Sequence, residues 1–362
     1  MRTLFLHIGH GKTGSTWIQS SLRLSRAALA ARGIDYPPEP GGETDDPARI
    51  TSGNGLVTSE AALSARLAGL DPGRSALFSN EALMHDLHDG AGPEFLGPVA
   101  RRHGFDRVAL LLFVRDPLGH AASRWGQWVK DRGLVAPIEE HFAAFDVPER
   151  AARLLDRLEA AAGVEVTVRN YSRCRDRLPP ETAAWLEVPE AALTPPPGAR
   201  VNRSLTRAET ALQRALNREL GPCPRLLAYP LIERPPELEA DDLRPSAEVQ
   251  AATWERLRPA VEGVDARLPE AQRHRRDLRD PAADPAADLG RLAFSPAQVE
   301  LIAERLGGEI ARLRRENARL RRALSDPASA HGARQLSGAL LRRLGRRLAG
   351  RPAAPASGDP AR

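Results

Sequence analysis

The sequence predicts an α/β domain of three layers, with helices on both faces of a mainly parallel central sheet. Apolar runs with the length of buried strands alternate with helical segments through the first half of the 362-residue chain. The clearest run, residues 107–114, is apolar throughout after its first residue, as expected of a central parallel strand covered on both faces. A glycine-rich turn joins the first apolar run to a helical segment, which is the second observation behind this fold class.

Each predicted element has its own signal along the chain. The first strand is the apolar run before the glycine turn. The first helix is expected to reach Arg32, because glycine is favoured just after the end of a helix and Gly33 follows. After the strand at 107–114, Asp116 is the expected helix cap and Pro117 fits the first turn. Further strands are predicted at 75–79 and 164–168, and helices at about 15–32, 53–70, 93–103, 117–131, 138–162, 206–220 and 246–257.

The chain is predicted to divide into four parts. Residues 1–260 form the α/β domain with helical insertions around the acceptor site, and residues 261–295 form a charged, mobile segment. Residues 296–325 form an amphipathic helix with heptad-like spacing, as in a short coiled coil that would join copies of the chain. The alternative is a last helix that packs on its own domain. The heptad positions are Leu306, Ile310, Leu313, Asn317, Leu320 and Leu324.

The fourth part, residues 326–362, is basic and is predicted to be disordered. Its arginine-rich stretch at 340–348 is a candidate for peripheral contact with an anionic membrane or a polyanion, although a solvated tail is the more common outcome. Much of the net charge of +5 lies near this end, and no specific nucleic-acid partner is predicted. No apolar run approaches the about 20 residues of a membrane span, and no signal peptide precedes the first strand, so we expect a cytoplasmic protein.

The glycine turn between the first strand and helix has the pattern of a phosphate cradle, because free backbone N–H groups and the positive end of the helix dipole would face an anion there. Lys12 lies inside it, although the 52 Lys and Arg residues include only one other lysine. A nucleoside-triphosphate loop needs its lysine directly after the second key glycine, where this chain has Ser15. The dinucleotide pattern fails as well, because no third glycine follows Gly14.

Two segments together resemble the sulfotransferase family that uses 3′-phosphoadenosine 5′-phosphosulfate, abbreviated PAPS. They are His-Ile-Gly-His-Gly-Lys-Thr-Gly-Ser-Thr at 7–16 and Phe-Val-Arg-Asp-Pro-Leu-Gly-His-Ala-Ala-Ser-Arg at 113–124. The resemblance implies a P-loop-like domain and transfer of a sulfuryl group from PAPS. It also implies that Lys12 stabilises the leaving phosphate. The residues it assigns to PAPS binding are Gly11, Lys12, Thr13, Gly14, Ser15, Thr16, Arg115, Ser123 and Tyr171.

The positions and chemistry of these residues are consistent with phosphate binding, independently of the resemblance. Arg115 ends a central strand, at the edge where α/β sheets bind ligands, and its guanidinium group matches a phosphate. The resemblance implies that Arg115 and Ser123 bind the 3′-phosphate and that Tyr171 lies near the adenine. The alternatives are a salt bridge for Arg115 and an ordinary helix position for Ser123. The glycine-rich segment that binds the 3′-phosphate in many cytosolic members is not evident here, and arginines of the helical half are its candidate substitutes.

The general base is predicted just after the second sheet strand, where Phe-Ser-Asn-Glu-Ala-Leu at 78–83 resembles the Ser-x-Glu of many bacterial members. Glu81 is the first candidate and His85 the reserve, and a carboxylate that stabilises a helix start is the alternative for Glu81. His7 and His10 flank the loop as possible substrate contacts. The pair His85 and His88 has no clear third ligand, so no metal site is predicted.

The acceptor is expected to be a hydroxyl or amine of a small molecule or glycan, with a carbohydrate or glycolipid favoured because bacterial relatives with this loop often modify glycans. Two other functions stay open at this point. One is an atypical P-loop kinase, and the other is a non-catalytic binding or scaffold protein that has kept the fold.

Overall fold

The computed structural model describes residues 1–39, 53–55, 57, 59–90, 92–196, 203–234, 238, 241–279 and 293–325. The predicted basic tail at 326–362 and part of the predicted mobile segment, residues 280–292, lie outside this description. The chain divides into two compact units, residues 1–294 and residues 295–362.

The first unit is built on a sheet of five strands that all run parallel, in the order β2-β3-β1-β4-β5. The predicted α/β class is therefore confirmed. The short edge strand β2 was not predicted. The strands are β1 Thr3–Ile8, β2 Ile34–Asp35, β3 Ser75–Asn80, β4 Arg107–Val114 and β5 Val164–Asn170.

Helices cover both faces of the sheet. Neighbouring residues of a strand point to opposite faces, so one strand contributes side chains to two apolar clusters. In β1, Leu4, Leu6 and Ile8 pack in one apolar cluster, whereas Phe5 packs in another. Seven helices contribute to the first cluster: α3 Glu60–Ala68, α4 Leu83–Asp89, α5 Leu96–Arg102, α6 Pro117–Arg132, α7 Ile138–Ala143, α8 Val147–Ala160 and α13 Ala247–Asp265. Four helices contribute to the second cluster: α1 Ser15–Leu24, α2 Arg26–Ala30, α9 Tyr171–Cys174 and α10 Leu178–Leu186. The remaining helices of the unit are α11 Arg207–Leu220 and α12 Ala228–Glu233.

The first predicted helix is divided in two at Ser25. Its hydroxyl donates to the Ser21 carbonyl at 2.7 Å and accepts from the Thr194 N–H at 2.7 Å. Such side-chain bonds to the backbone compete with regular helix, and Ser25 takes φ −93° and ψ 5° between the two helices. The predicted helix at 138–162 is likewise two helices, α7 and α8, and α13 continues beyond the predicted end at 257.

The helix predicted from residue 53 begins only at Glu60, because Ser59 caps it by accepting the Ala62 N–H at 3.2 Å. Residues 53–55 lie along the end of β3 instead. The Asn54 side chain accepts from the Ser79 N–H at 2.9 Å and donates to the Pro37 carbonyl at 2.7 Å and the Leu77 carbonyl at 3.2 Å. Asn54 thus satisfies the backbone of β3 just before Asn80 and Glu81.

Asp116 occupies the predicted N-cap position of α6 and Pro117 begins the helix, but the Asp116 side chain makes no cap hydrogen bond. Its carboxylate accepts from Asn170 Nδ2 at 3.0 Å, and it also pairs with Arg173. The predicted capping role is therefore wrong, because the ends of β4 and β5 lie side by side and bring stronger donors to this carboxylate.

The structure places the unit boundary at Phe294, beyond the predicted boundary at 260, which falls inside α13. The described part of the predicted mobile segment is hydrogen-bonded to the domain. Gln272 Oε1 accepts from the Asn170 N–H at 3.0 Å, and Gln250 Nε2 donates to the Arg279 carbonyl at 2.6 Å.

The second unit contains α14 Pro296–Ser325. Ile310 and Leu313 are about half exposed on it, and Arg312 pairs with Glu309 at 2.6 Å and Glu316 at 3.1 Å. The coiled coil stays a prediction. Across the residues the structure describes, every helix is too short or too polar to span a membrane.

Replacing Asn54 with Ala is expected to destabilise the sheet domain by about 1–3 kcal/mol, because the buried Ser79 N–H loses its acceptor. A lower urea midpoint would show this. Asn317→Ala, at an exposed position of α14, is the control and should leave the midpoint unchanged. An unchanged midpoint for Asn54→Ala would contradict this role of its side chain.

Candidate functional site

The glycine turn lies between β1 and α1, at the carboxyl edge of the sheet. Gly14 is the N-cap of α1 at φ 83°, and Lys12 also has a left-handed backbone at φ 74°. Left-handed residues in a turn before a helix are typical of backbone nests that bind anions. The helix has no side-chain cap and no acidic residue in its first turn, so its positive end is not neutralised locally.

Three protein donors bind the carbonyl groups of this turn. Thr13 Oγ1 donates to the His10 carbonyl at 2.8 Å, Arg115 Nη1 to the Lys12 carbonyl at 3.1 Å, and His120 Nε2 approaches the Gly11 carbonyl at 3.1 Å. In a trans peptide the C=O and N–H groups point in opposite directions. The N–H groups of residues 11–13 therefore point away from these donors, and none of them has an acceptor among the described residues, so they could bind an anion.

Two histidine rings stack beside the turn, one from its start and one from α6. The His10 and His120 rings lie 4.5 Å apart at 23°. Burial lowers the pKa of His10 to about 3 and that of His120 well below its usual value, so both are neutral near pH 7. His120 is then the tautomer that donates from Nε2. His10 is 2% exposed and His7 is 0% exposed, so the protein encloses both rings, and their predicted substrate contacts stay predictions.

Lys12 and Glu81, which follow the neighbouring strands β1 and β3, each affect the pKa of the other. Burial, followed by repulsion from Lys130, lowers the pKa of Lys12 to about 8, while Asp131 and Glu81 oppose that shift. Burial raises the pKa of Glu81, and Lys12 opposes it. Each of the two groups is therefore the other's electrostatic neighbour. Glu81 lies directly before Ala82, the N-cap of α4, so its alternative role as a carboxylate that stabilises the helix start through the dipole stays open.

His85 lies one turn along α4 and is partly buried. Burial lowers its pKa, as do Arg150 and Arg124, so the imidazole is neutral near pH 7. It is an electrostatic neighbour of His10 rather than of Lys12. Of the two candidates for the base, Glu81 is therefore the one that affects the pKa of Lys12.

A cavity of about 540 Å³ opens on the other side of Arg115, and Arg115, Ser123 and Tyr171 all line it. The Arg115 guanidinium carbon lies 5.9 Å from the centre of the Tyr171 ring. Tyr171 also packs on the turn, since a Cβ on Gly14 would lie 2.9 Å from its ring. Arg115 and Tyr171 therefore each contact the turn and also line the cavity. Thr16 and Ser15 begin α1 on the turn side, and the buried Ser15 hydroxyl has no hydrogen-bond partner within the described residues.

Arg244 is the residue that sequence reasoning missed. Its side chain is 4% exposed, its Nε donates to Asp242 at 3.0 Å, and its Nη1 is buried without an acceptor among the described residues. A Cβ on Gly119 would lie 3.4 Å from Arg244 Nη2 and 4.0 Å from Arg115 Nη2. Two guanidinium groups thus approach the first turn of α6 together. No local sequence signal marks Arg244, because only the fold brings it to Arg115.

The two histidines of α4 do not form a metal site. His88 Nδ1 pairs with Asp89 at 2.6 Å, and Asp89 also binds Arg150. In the part of the chain that the structure describes, no group of three or more His, Cys, Asp or Glu side chains could hold a metal ion.

Comparison with protein-family models and with curated proteins finds no match for this chain. The chemical reading of the site therefore rests on its geometry. The turn with Lys12 is one candidate anion site. The cavity is a second, because arginines outnumber aspartates among its lining residues, although Arg244 pairs with Asp242 at 3.0 Å and lies 3.8 Å from Asp277. Because Arg115 contacts both, the arrangement suits a ligand with two separate anionic groups.

The left-handed backbone of Lys12 gives a testable stability difference. Lys12→Gly is expected to be more stable than Lys12→Ala by about 1–2 kcal/mol, because only glycine adopts this conformation without strain. Glu187, also left-handed at φ 57°, provides the matched pair Glu187→Gly and Glu187→Ala. Equal urea midpoints for the two Lys12 variants, beside a difference for the two Glu187 variants, would contradict the strain at Lys12.

Proposed function

We propose that the protein is a PAPS-dependent sulfotransferase with a P-loop-like domain, acting in the cytoplasm on a hydroxyl or amine of a carbohydrate or glycolipid. The observation that supports this most is the pair of anion sites joined by Arg115. The turn at 11–16 would hold the 5′-phosphosulfate, and Arg115, Arg244 and Ser123 would hold the 3′-phosphate in the cavity. A nucleotide without a 3′-phosphate would leave Arg244 Nη1 buried and unpaired, at a cost in free energy.

In this proposal Lys12 and Glu81 divide the chemistry. Glu81 accepts the proton of the acceptor hydroxyl or amine as that group attacks sulfur. The bond between sulfur and the bridging oxygen breaks, and Lys12 stabilises the negative charge that develops on the departing phosphate. The sulfuryl group ends on the acceptor, and adenosine 3′,5′-bisphosphate leaves. The raised pKa of Glu81 makes it a stronger base than an exposed carboxylate.

The donor assignment is tested by thermal shift with adenosine 3′,5′-bisphosphate, ADP and AMP. The bisphosphate is expected to give the largest rise in melting temperature, because it alone fills both anion sites as PAPS would. Arg244→Gln should lower the affinity for the bisphosphate about tenfold or more and leave the affinity for AMP nearly unchanged. A response to ADP with magnesium that equals the bisphosphate response would favour a P-loop kinase and overturn the assignment.

Gly119→Ala tests the same site without removing a charge. The added methyl group would lie beside Arg244 and weaken bisphosphate binding, while alanine in the helix should stabilise α6 by about 0.5–1 kcal/mol. Gly263→Ala in α13 is the matched control, because it gives the same helix gain with its nearest contact 4.0 Å away. Equal bisphosphate affinities in the two variants would argue against the cavity as the 3′-phosphate site.

The pKa shifts predict a bell-shaped dependence of kcat/KM for PAPS on pH. Activity should fall above about pH 8 as free Lys12 loses its proton, and it should fall on the acid side as Glu81 gains one. Lys12→Arg should move the alkaline limb to higher pH, and Glu81→Gln should lower kcat by about 10²–10⁴ with bisphosphate binding retained. An unmoved alkaline limb in Lys12→Arg would assign that limb to another group, and full activity in Glu81→Gln would favour a non-catalytic role for the carboxylate.

A further inference from the structure

An arginine–tryptophan patch, formed by Arg124, Trp128 and Arg132, lies along one face of α6. The guanidinium carbon of Arg124 is 4.7 Å from the Trp128 ring centre, and that of Arg132 is 5.3 Å from it. His141 of α7 meets the same ring edge-on at 5.1 Å. The ring and Arg124 are partly exposed and Arg132 is exposed, so the patch is open to a ligand.

The two arginines of the patch lack carboxylate partners. Within the described residues, neither forms a hydrogen bond or an ion pair, and their close contacts are with the indole ring. Burial lowers the pKa of Arg124; Asp146 opposes the shift, while Arg150 and Arg132 add to it. Asp146 itself lies 4.0 Å from Arg150. An incompletely neutralised, partly buried guanidinium group favours an anion from outside the chain.

The patch lies beside the turn that contains Lys12. Arg124 lies one helical turn beyond His120, whose Nε2 contacts the Gly11 carbonyl of the turn at 3.1 Å. Farther along the same helix, Gln127 Oε1 would lie 3.7 Å from a Cβ on Gly11, and Lys130 and Asp131 act on the charge of Lys12. The patch and the cavity are on different faces of α6, because the cavity is lined by Gly119, Ser123 and Gly126.

We infer that the arginine–tryptophan patch binds an anionic substituent of the acceptor, so that the protein acts on a glycan with carboxylate or sulfate groups rather than on a neutral one. This inference rests on the proposed function. The reacting hydroxyl or amine would lie toward Lys12 and Glu81, and the anionic group of the same glycan would lie on Arg124 and Arg132. An aromatic ring between two guanidinium groups also offers a flat surface to a sugar ring.

The test measures binding of fluorescently labelled hexasaccharides to the full chain. Unsulfated chondroitin supplies carboxylates only, keratan sulfate supplies sulfate esters only, and N-acetylated chitohexaose is neutral. We expect binding of at least one anionic probe, falling as salt rises, and no comparable binding of the neutral probe. The anionic probe that binds identifies the substituent. In the double variant Arg124→Gln and Arg132→Gln, its affinity should fall about 10- to 100-fold.

Arg32→Gln controls for the loss of one exposed positive charge away from the patch, and it is compared with the single variants Arg124→Gln and Arg132→Gln. Arg32 comes shortly before the edge strand β2. Arg124→Lys should restore part of the affinity in the presence of Arg132, since it keeps the charge but not the planar donor set. The bisphosphate thermal shift, measured on every variant, reports whether the variant folds and whether the proposed donor site survives.

Equal binding of neutral and anionic hexasaccharides, or unchanged affinity in the double variant, would overturn the inference. Tighter binding of a single-stranded oligonucleotide than of any hexasaccharide would also overturn it and assign the patch to nucleic acid. The failure of the proposed function is separate, because it appears as the absence of a bisphosphate response in the wild-type protein. Loss of anionic glycan binding in the double variant together with an intact bisphosphate response supports the inference.

Discussion

The contact between Arg115 and the Lys12 carbonyl is the interaction on which the rest of the site depends. It fixes one peptide of the turn, and the direction of that peptide sets where the next N–H group points. The same guanidinium group lines the cavity beside Tyr171 and Arg244. A single side chain at the end of β4 therefore sets both the shape of the anion turn and the charge of the cavity, which couples the two parts of the proposed donor site.

The site holds several unfavourable features close together. Arg115 is repelled by Arg244, Lys12 by Lys130, and Lys12 has a strained backbone. Ser15 Oγ, His10 Nδ1 and Arg244 Nη1 are buried without partners in the described structure. A domain with both sheet faces buried can tolerate these costs, and strain of this kind concentrates at functional sites. A ligand with two anionic groups would relieve most of them at once.

Much of the fold was accessible from the sequence, because its signals are local. The buried run at β4, the glycine turn and Pro117 each specify their own element. The break at Ser25 and the true partner of Asp116 could not be predicted, because each depends on a contact with a distant segment. The late start of α3 depends instead on a local contact, in which Ser59 accepts the Ala62 N–H. In the site, Arg115, Ser123 and Tyr171 line one cavity, and their roles in binding PAPS stay predictions. Arg244 was missed, since its proximity to Arg115 arises only when the helical half folds against α6.

Two faces of α6 would hold the donor and the acceptor in the orientation that the proposed reaction requires. One face of this helix lines the cavity through Gly119 and Ser123, while another presents the arginine–tryptophan patch beside the turn. His120, between those faces, is bound to the Gly11 carbonyl, so the helix cannot move relative to the turn without breaking that contact. A rigid helix that contacts donor and acceptor on separate faces would hold them on opposite sides of the transferred group. In-line displacement at sulfur requires that arrangement, and orientation of this kind lowers the entropic part of the barrier.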